Sequence, residues 1–358
     1  MWLYWFLFAV PAWRAVTYMR PAVDPDKHWG DWWRVVFVLL VLMIGLRHEV
    51  GDDWLTYIEH IRTASSQTLL VAVSQGDPAY SLLNWLGAKS GLGTYFVNTV
   101  SAAIFSWGLV EFCRAQPRPW LALVVAIPYL VTVVAMGYTR QGVAIGLAMV
   151  ALVALTDRKL LRFVVFVALA ATFHKSAVIL MPLAVLAGTK HRLWTAFWIG
   201  LASVLFYVLL LQESVAALQS GYIDAQYQSQ GAALRLAMNA VPALVFLWLR
   251  HRFLMPPDEK TFWTWMSLFA LGFVVLLVVS PSSTAVDRVA LYWIPLQLYV
   301  LSRLPHAMGG LHGDKKWWVR RGGLQRSGAV CLAGVCVARL CVVAVTVLSV
   351  GGVLAVSA

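Results

Sequence analysis

Apolar stretches of nearly membrane-crossing length recur along the whole chain, separated by short polar or proline-containing breaks. A helix needs about 20 apolar residues to cross the hydrocarbon core, and a shorter apolar helix enters only part of it. The pattern predicts an all-α fold, a single integral membrane domain built as a polytopic bundle of about twelve transmembrane or half-membrane helices. The predicted segments lie near residues 1–16, 33–47, 96–113, 120–138, 141–156, 160–173, 176–188, 193–211, 233–249, 262–280, 286–303 and 328–356.

Other parts of the chain depart from this repeat. Residues 47–95 form a long outer loop with one helix-like piece, Pro78–Lys89, which is too short to span and is expected to be interfacial or re-entrant. Residues 304–326 form a basic cytoplasmic loop, and 328–358 form an atypical final span without aromatic residues, which leaves open whether it is the natural end. The first segment lacks a basic flank and a small-residue cleavage site, so we expect a retained span.

Composition and charge agree with a membrane location. The chain is 61% hydrophobic and 12% charged, with a net charge of +12. Most Lys and Arg residues fall in alternate connections, which the positive-inside rule places in the cytoplasm, so that both termini face outward. An excess of Lys and Arg residues in alternate connections does not indicate a nucleic-acid partner. The four cysteines match neither a zinc pattern nor a disulfide framework.

The segment 160–188 is predicted to be a hairpin rather than one span. As one span it would place the basic groups at 158–159 and 190–192 on opposite faces and reverse every later loop. The tip, His174-Lys175-Ser176, then lies on the outer side. Its arms measure roughly 20 Å each, against a core of about 30 Å. The tip therefore lies below the membrane surface, where a lysine needs water or a counter-charge.

Polar groups that interrupt apolar sequence all fall on the predicted outer side. Their ranges are Arg47–Tyr57 (RHEVGDDWLTY), Gly137–Gly142 (GYTRQG), Phe173–Ser176 (FHKS) and Ala285–Tyr292 (AVDRVALY). They supply the carboxylates Glu49, Asp52, Asp53 and Asp287, the cations Arg47, Arg140, Lys175 and Arg288, and the imidazole of His174. Such a set suits a lipid-linked pyrophosphate: cations bind it and stabilise it as it departs, while a carboxylate or histidine accepts a proton from an attacking hydroxyl.

Each residue also has a structural alternative. Arg47 at the end of a span is often an interfacial anchor, the Asp287-Arg288 pair is often a local ion pair, and His174 alone is often a satisfied polar contact. Arg140 is the exception, since it stands at a turn inside a long apolar stretch, and ionisable residues at membrane depth are functional candidates by default. No His, Cys or carboxylate group has metal-ligand spacing, so we expect neither metal nor cofactor.

These motifs resemble the EpsG family of Wzy-like polymerases of bacterial exopolysaccharide and capsule. The matching pieces occur in the family's order over Arg47–Gln297. They are LRHEVGDDWLTY, with Arg47, Gly51, Asp53 and Tyr57; TRQGVAIG, with Arg140 and Gln141; TFHKSAVILMPL, with Phe173, His174, Ser176 and Ala177; and DRVALYWIPLQ, with Arg288 and Tyr292.

The resemblance implies a metal-independent, GT-C-like glycosyltransferase of the bacterial cytoplasmic membrane with its active site facing outward. It transfers a glycan chain from polyprenyl pyrophosphate onto a newly flipped lipid-linked repeat. The implied partners are the polyprenyl-pyrophosphate-linked oligosaccharide and membrane lipid, with a chain-length regulator and a flippase as candidate protein partners.

The candidate site residues follow from motif position and from this chemistry. Arg140 and Arg288 are expected at the donor pyrophosphate, Asp53 or His174 as base, and Arg47 and Lys175 in positioning; Asp52 and Glu49 compete with Asp53. The candidate catalytic residues are Asp53, His174 and Arg140, and the candidate substrate-binding residues are Arg47, Asp52, Glu49, Tyr57, Gln141, Lys175, Asp287, Arg288 and Tyr292.

Two other classes of function remain open at this point. A lipid-linked oligosaccharide flippase or other transporter is one, although it predicts ionisable residues along both halves of a pathway and inverted repeats. An O-antigen ligase or membrane O-acyltransferase is the other, although acyl transfer does not need so many outward arginines.

Overall fold

The structure is a computed structural model that describes residues 2–17, 29–51, 53–74, 76–186, 200–201, 231–280 and 282–309. Every regular element within these residues is helical, which confirms the all-α class. The predicted segments 193–211 and 328–356 and most of the loop 304–326 lie outside them.

The helices are, in chain order, α1 (Trp2–Thr17), α2 (Asp31–Gly45), α3 (Trp54–Ser66), α4 (Leu69–Ser74), α5 (Pro78–Ser90), α6 (Gly93–Arg114), α7 (Pro119–Ala126), α8 (Thr139–Thr156), α9 (Leu160–Phe173), α10 (Leu183–Leu186), α11 (Ala232–Leu249), α12 (Pro257–Val279), α13 (Ser283–Ala290) and α14 (Ile294–Gly309). A π-helical segment, Ile127–Ala135, continues α7; 3-10 segments follow α9 (Lys175–Leu180) and α13 (Leu291–Trp293).

Within the described residues, four helices are apolar and long enough to cross a membrane: α6, α8, α11 and α12. Two shorter apolar helices, Pro119–Ala135 and α9, accompany them. Burial differs sharply among the long helices, since 83% of the apolar window of α8 is buried but only 28% of that of α12. The chain is therefore a membrane protein in which α8 belongs to the interior.

The second arm of the hairpin, predicted over 176–188, is not one continuous helix. His174 has extended backbone at the end of α9, the 3-10 segment Lys175–Leu180 follows, and a turn leads to the short α10. Pro182 lies in that turn, where its missing N–H cannot continue a helical ladder. The predicted outer loop, residues 47–95, also contains α3 and α4 besides the predicted helix at Pro78.

The chain divides into two compact units. Unit 2 comprises His28–Phe112 and Tyr129–Met181, and unit 1 comprises the remainder. In unit 2, α8 packs along α9, α3 and α4 pack on α5, and α5 contacts α9. In unit 1, α7 packs on α1 and α14, while α11 packs on α12, α13 and α14.

A glycine pair sets the separation of α6 and α8 in unit 2. A methyl group added at Gly108 would lie 2.0 Å from the carbonyl oxygen of Gly146, and one at Gly146 would lie 2.7 Å from the Cα of Phe105. Small residues at such a crossing let helix backbones approach closely, which is a common way to pack membrane helices. This close packing holds the beginning of α8, where the polar residues lie, against α6.

Candidate functional site

Polar groups from separate helices of unit 2 converge on the carboxylate of Asp77. Its Oδ2 lies 3.4 Å from Arg140 Nη1 and 3.9 Å from His174 Nδ1. Its Oδ1 accepts a hydrogen bond from the backbone N–H of Lys175 at 3.2 Å. Arg140, His174 and Lys175, three of the predicted site residues, thus meet at Asp77. The sequence motifs did not identify Asp77 as a site residue.

Each member of this cluster stands at a helix end. Asp77 directly precedes α5, which begins with a proline at its first position, where the missing N–H is not needed. Arg140 lies in the first turn of α8, and His174 follows the last residue of α9. The N-terminus of α5 carries positive partial charge, which favours a carboxylate at Asp77.

The carboxylate lies deeper than the groups that surround it. The side chain of Asp77 is 8% exposed, whereas those of Arg140 and His174 are 38% and 26% exposed. Arg140 also stands over the ring of Tyr80, with its Cζ 5.7 Å from the centroid. A guanidinium has five N–H donors, so Arg140 keeps donors for a ligand beyond the one directed at Asp77.

Asp53 and Tyr57 form a second contact network beside the beginning of α8. The hydroxyl of Tyr57 accepts a hydrogen bond from the backbone N–H of Thr139 at 3.0 Å and lies 3.3 Å from Asp53 Oδ2, to which it donates. Burial, and after it the negative charge of Asp53, raises the pKa of Tyr57. Tyr57 is therefore a neutral donor that holds Asp53 near α8.

Gly51 explains how the chain enters this network. Its φ of +100° is in the left-handed region, and a methyl group there would lie 2.9 Å from the carbonyl oxygen of Met136. Only glycine combines that conformation with so close an approach. The Gly51 turn thereby places the residue before α3, Asp53, next to the segment that leads to Arg140.

Arg47 lies in the interior of unit 2. It is 5% exposed, and its guanidinium donates to Ile44 O at 2.7 Å, Asn98 Oδ1 at 3.1 Å and Thr139 Oγ1 at 2.5 Å. The structure therefore places Arg47 among the contacts that support the beginning of α8.

The remaining candidates of unit 2 occupy different environments. Gln141 is 1% exposed on α8, while the Glu49 side chain is 75% exposed and lies 3.8 Å from His48. Asp52 lies outside the described residues. Among the candidate carboxylates that are described in this unit, Asp53 is the one joined by its contacts to the beginning of α8.

The last predicted motif lies in unit 1. Asp287 is 5% exposed. Its two carboxylate oxygens accept hydrogen bonds from Nε and Nη2 of Arg235 at 2.7 to 3.0 Å. This is a bidentate ion pair, as expected for one alternative, but its partner is Arg235 on α11 and not the neighbouring Arg288. Arg288 is half-buried and Tyr292 is fully buried.

A metal centre would need several ligands in one place. Within the described residues, no three His, Cys, Asp or Glu side chains are close enough to hold a metal ion. The polar cluster around Asp77 offers the guanidinium of Arg140 and the imidazole of His174 beside a buried carboxylate. The guanidinium is suited to binding and neutralising an anion.

Asp77 lies outside the four polar motifs, but the sequence does contain a local indication of its position. An aspartate followed by proline is a typical helix start, and this one precedes the predicted helix Pro78–Lys89 on the predicted outer side. A carboxylate there, on the same predicted face as Arg140 and Lys175, was a candidate counter-charge.

Comparison with known proteins gives one match. The profile of the EpsG family matches residues 32–310, a range that includes all the candidate site residues and Asp77. No curated protein and no solved structure matches the chain significantly.

Proposed function

The chain belongs to the EpsG family of Wzy-like polysaccharide polymerases, and from this premise we propose that it polymerises lipid-linked repeat units at the outer face of the bacterial cytoplasmic membrane. The fold that we propose is a GT-C-like bundle of about twelve membrane or half-membrane helices. The substrate is a polyprenyl-pyrophosphate-linked oligosaccharide, and the product is exopolysaccharide or capsule. A flippase supplies the substrate, and a chain-length regulator is a candidate partner.

The observation that carries this proposal is the convergence of Arg140, His174 and the Lys175 backbone on Asp77. Two groups able to carry positive charge are partly exposed, and the carboxylate that balances them is buried. Arg140 is the most exposed of these side chains and is proposed to contact the bound anion. Charge-assisted hydrogen bonds of this kind are the strong ones for phosphate oxygens.

The proposed step needs no metal or cofactor. A hydroxyl of the lipid-linked repeat attacks the anomeric carbon of the growing chain and loses its proton to His174 or Asp53. The new bond joins the acceptor oxygen to that carbon. The bond between the carbon and the pyrophosphate oxygen breaks, and its electron pair leaves with the polyprenyl pyrophosphate. Arg140 offsets the charge that develops on the leaving group.

The other predicted residues take supporting roles in this proposal. In unit 1, Arg288 is proposed as a cation that binds pyrophosphate, and in unit 2 the Lys175 side chain positions substrate. Arg47, Tyr57 and Gln141 are buried and act through the fold around the beginning of α8. Asp287 keeps Arg235 paired, and Tyr292 is fully buried in the 3-10 segment after α13.

The decisive test uses single substitutions in a polysaccharide-producing host whose own polymerase gene is deleted. Arg140→Ala and His174→Ala are expected to reduce polymer length and yield at least about 100-fold, as for loss of a charge-stabilising or acid–base group. Single lipid-linked repeats should accumulate in the outer leaflet. Arg62→Ala is the matched control, because Arg62 is 75% exposed in the same outer connection.

Two outcomes would contradict this function. Polymer of normal length from both variants, without accumulated repeats, would exclude a polymerase site here. Repeats accumulating in the cytoplasmic leaflet would indicate a flippase. Sidedness is tested by labelling Ser176→Cys in a background without native cysteines, where labelling only from the cytoplasm would overturn the outward hairpin tip.

A further inference from the structure

The buried charge of Asp77 requires an explanation beyond packing. A carboxylate that is removed from water is costly unless other groups pair with it and donate hydrogen bonds to it. Asp77 has both kinds of partner, Arg140 at 3.4 Å and the backbone N–H of Lys175 at 3.2 Å. A neutral asparagine would satisfy that N–H equally well, and the Asp77 side chain makes no capping hydrogen bond to α5. The negative charge itself is therefore what needs a role.

The carboxylate approaches the imidazole of His174 through one particular nitrogen. The closest atoms are Oδ2 and Nδ1, 3.9 Å apart. A shift of about 1 Å brings them to hydrogen-bond distance, and catalytic hydrogen bonds often shorten when substrate binds. A carboxylate that accepts from Nδ1–H makes the other ring nitrogen, Nε2, the acceptor for a proton.

The same oxygen also orients the guanidinium of Arg140. One Nη1 faces Asp77, and the remaining donors of the planar group are then fixed in direction relative to α8. Asp53 has a different environment, because the hydroxyl of Tyr57 lies 3.3 Å from its Oδ2. Of the two candidate bases, His174 is the one placed beside a buried carboxylate and a cation.

We propose that Asp77 is a positioning residue of the polymerase site, which directs Arg140 toward the departing pyrophosphate and holds His174 with Nε2 as the proton acceptor. The acceptor hydroxyl gives its proton to Nε2, and the resulting imidazolium is stabilised by the Asp77 carboxylate. This inference rests on the proposed function, and it selects His174 over Asp53 as the base.

The experiment compares Asp77→Asn with Asp77→Glu. Asparagine keeps an oxygen for the Lys175 N–H but removes the charge, whereas glutamate keeps the charge on a longer side chain. Membranes that contain each variant receive lipid-linked repeat extracted from the polymerase-deleted host, and kcat and KM for polymer formation are measured. We expect Asp77→Asn to lower kcat about 100-fold, with a smaller effect on KM and a wild-type Tm. Asp77→Glu should restore a measurable part of the lost kcat.

The outcomes separate this inference from the function. Wild-type kcat in Asp77→Asn, with His174→Ala inactive, overturns the inference and leaves the polymerase intact. If both Asp77 variants lose activity and also have a lowered Tm, Asp77 has a structural role only, and this outcome also overturns the inference. If Asp53→Asn loses activity to the extent expected for loss of the base while His174→Ala keeps full activity, the choice of His174 as the base is overturned. Full activity in both Arg140→Ala and His174→Ala overturns the proposed function itself.

Discussion

The guanidinium of Arg47 donates a hydrogen bond to the hydroxyl of Thr139 at 2.5 Å. Arg47 lies two residues after the end of α2, Thr139 is the first residue of α8, and Arg140 directly follows Thr139. The same guanidinium also binds Asn98 of α6. Three helices of unit 2 thus meet at one buried side chain, and the direction of Arg140 depends on that junction.

Replacement of Arg47 by lysine should therefore act on stability first. Arg47→Lys keeps a positive charge, but an ammonium cannot reproduce the planar set of bonds to three acceptors. We expect a loss of about 2–3 kcal/mol, from acceptors left unsatisfied in the interior. The measurement is thermal unfolding of the purified protein in detergent.

The matched control is Arg62→Lys, since Arg62 is exposed and its ion pair among the described residues is with Glu59, three residues earlier on α3. Exposed pairs of this kind contribute little, so its Tm should stay within error of wild type. If Arg47→Lys keeps the wild-type Tm but makes no polymer, Arg47 contacts the ligand and the structural role is wrong.

The close approach of Gly108 and Gly146 makes a second prediction. Gly108→Ala places a methyl group 2.0 Å from the Gly146 carbonyl oxygen, so α6 and α8 must separate. Overpacking of this kind costs about 1–3 kcal/mol or more. Both Tm in detergent and the amount of protein in the membrane should fall.

Gly272→Ala on α12 is the control for this substitution, because no residue in the described part of the chain lies within 4 Å of a methyl group there. Alanine is the better helix former by about 1 kcal/mol, so this variant should be neutral or slightly more stable. Equal destabilisation by the two variants would contradict a specific contact at Gly108.

These contacts also explain which features the sequence could predict. Runs of apolar residues are a local signal, so the bounds of α8, α9 and α11 were predicted to within a few residues. The helix α3 was missed because it is short and mixes apolar with charged residues. Asp77 was missed because its partners Arg140 and Lys175 lie 63 and 98 residues away, and only packing shows such pairs.

His60 on α3 should make stability depend on pH. It lies beside the rings of Tyr57 and Tyr80. Burial, and after it the positive charge of Arg140, lowers the pKa of His60, against the opposing negative charges of Asp53 and Glu59. A histidine with a lowered pKa in the folded state favours the neutral form, so its contribution is fully present above about pH 6.5 and is lost as pH falls below that value.

The test compares Tm from pH 7.5 down to pH 5 in wild type and in His60→Gln. Both proteins lose stability on acidification because other groups titrate as well, but His60→Gln should lose less. Identical slopes in the two proteins would show that His60 is not held neutral by its surroundings.

The ion pair between Arg235 and Asp287 predicts non-additive substitutions in unit 1. Both side chains are nearly buried, at 11% and 6% exposed, so removing one charge deprives the other of this counter-charge inside the protein. Breaking such a pair costs about 3–5 kcal/mol, whereas replacing both partners by apolar residues is often neutral. We expect Asp287→Leu and Arg235→Met each to lower Tm strongly, and the double variant to recover most of the loss. Polymer synthesis by a stable double variant would show that Asp287 serves the fold and not the chemistry. Additive losses would instead mean that the two residues act independently, and that the bidentate contact contributes little to stability.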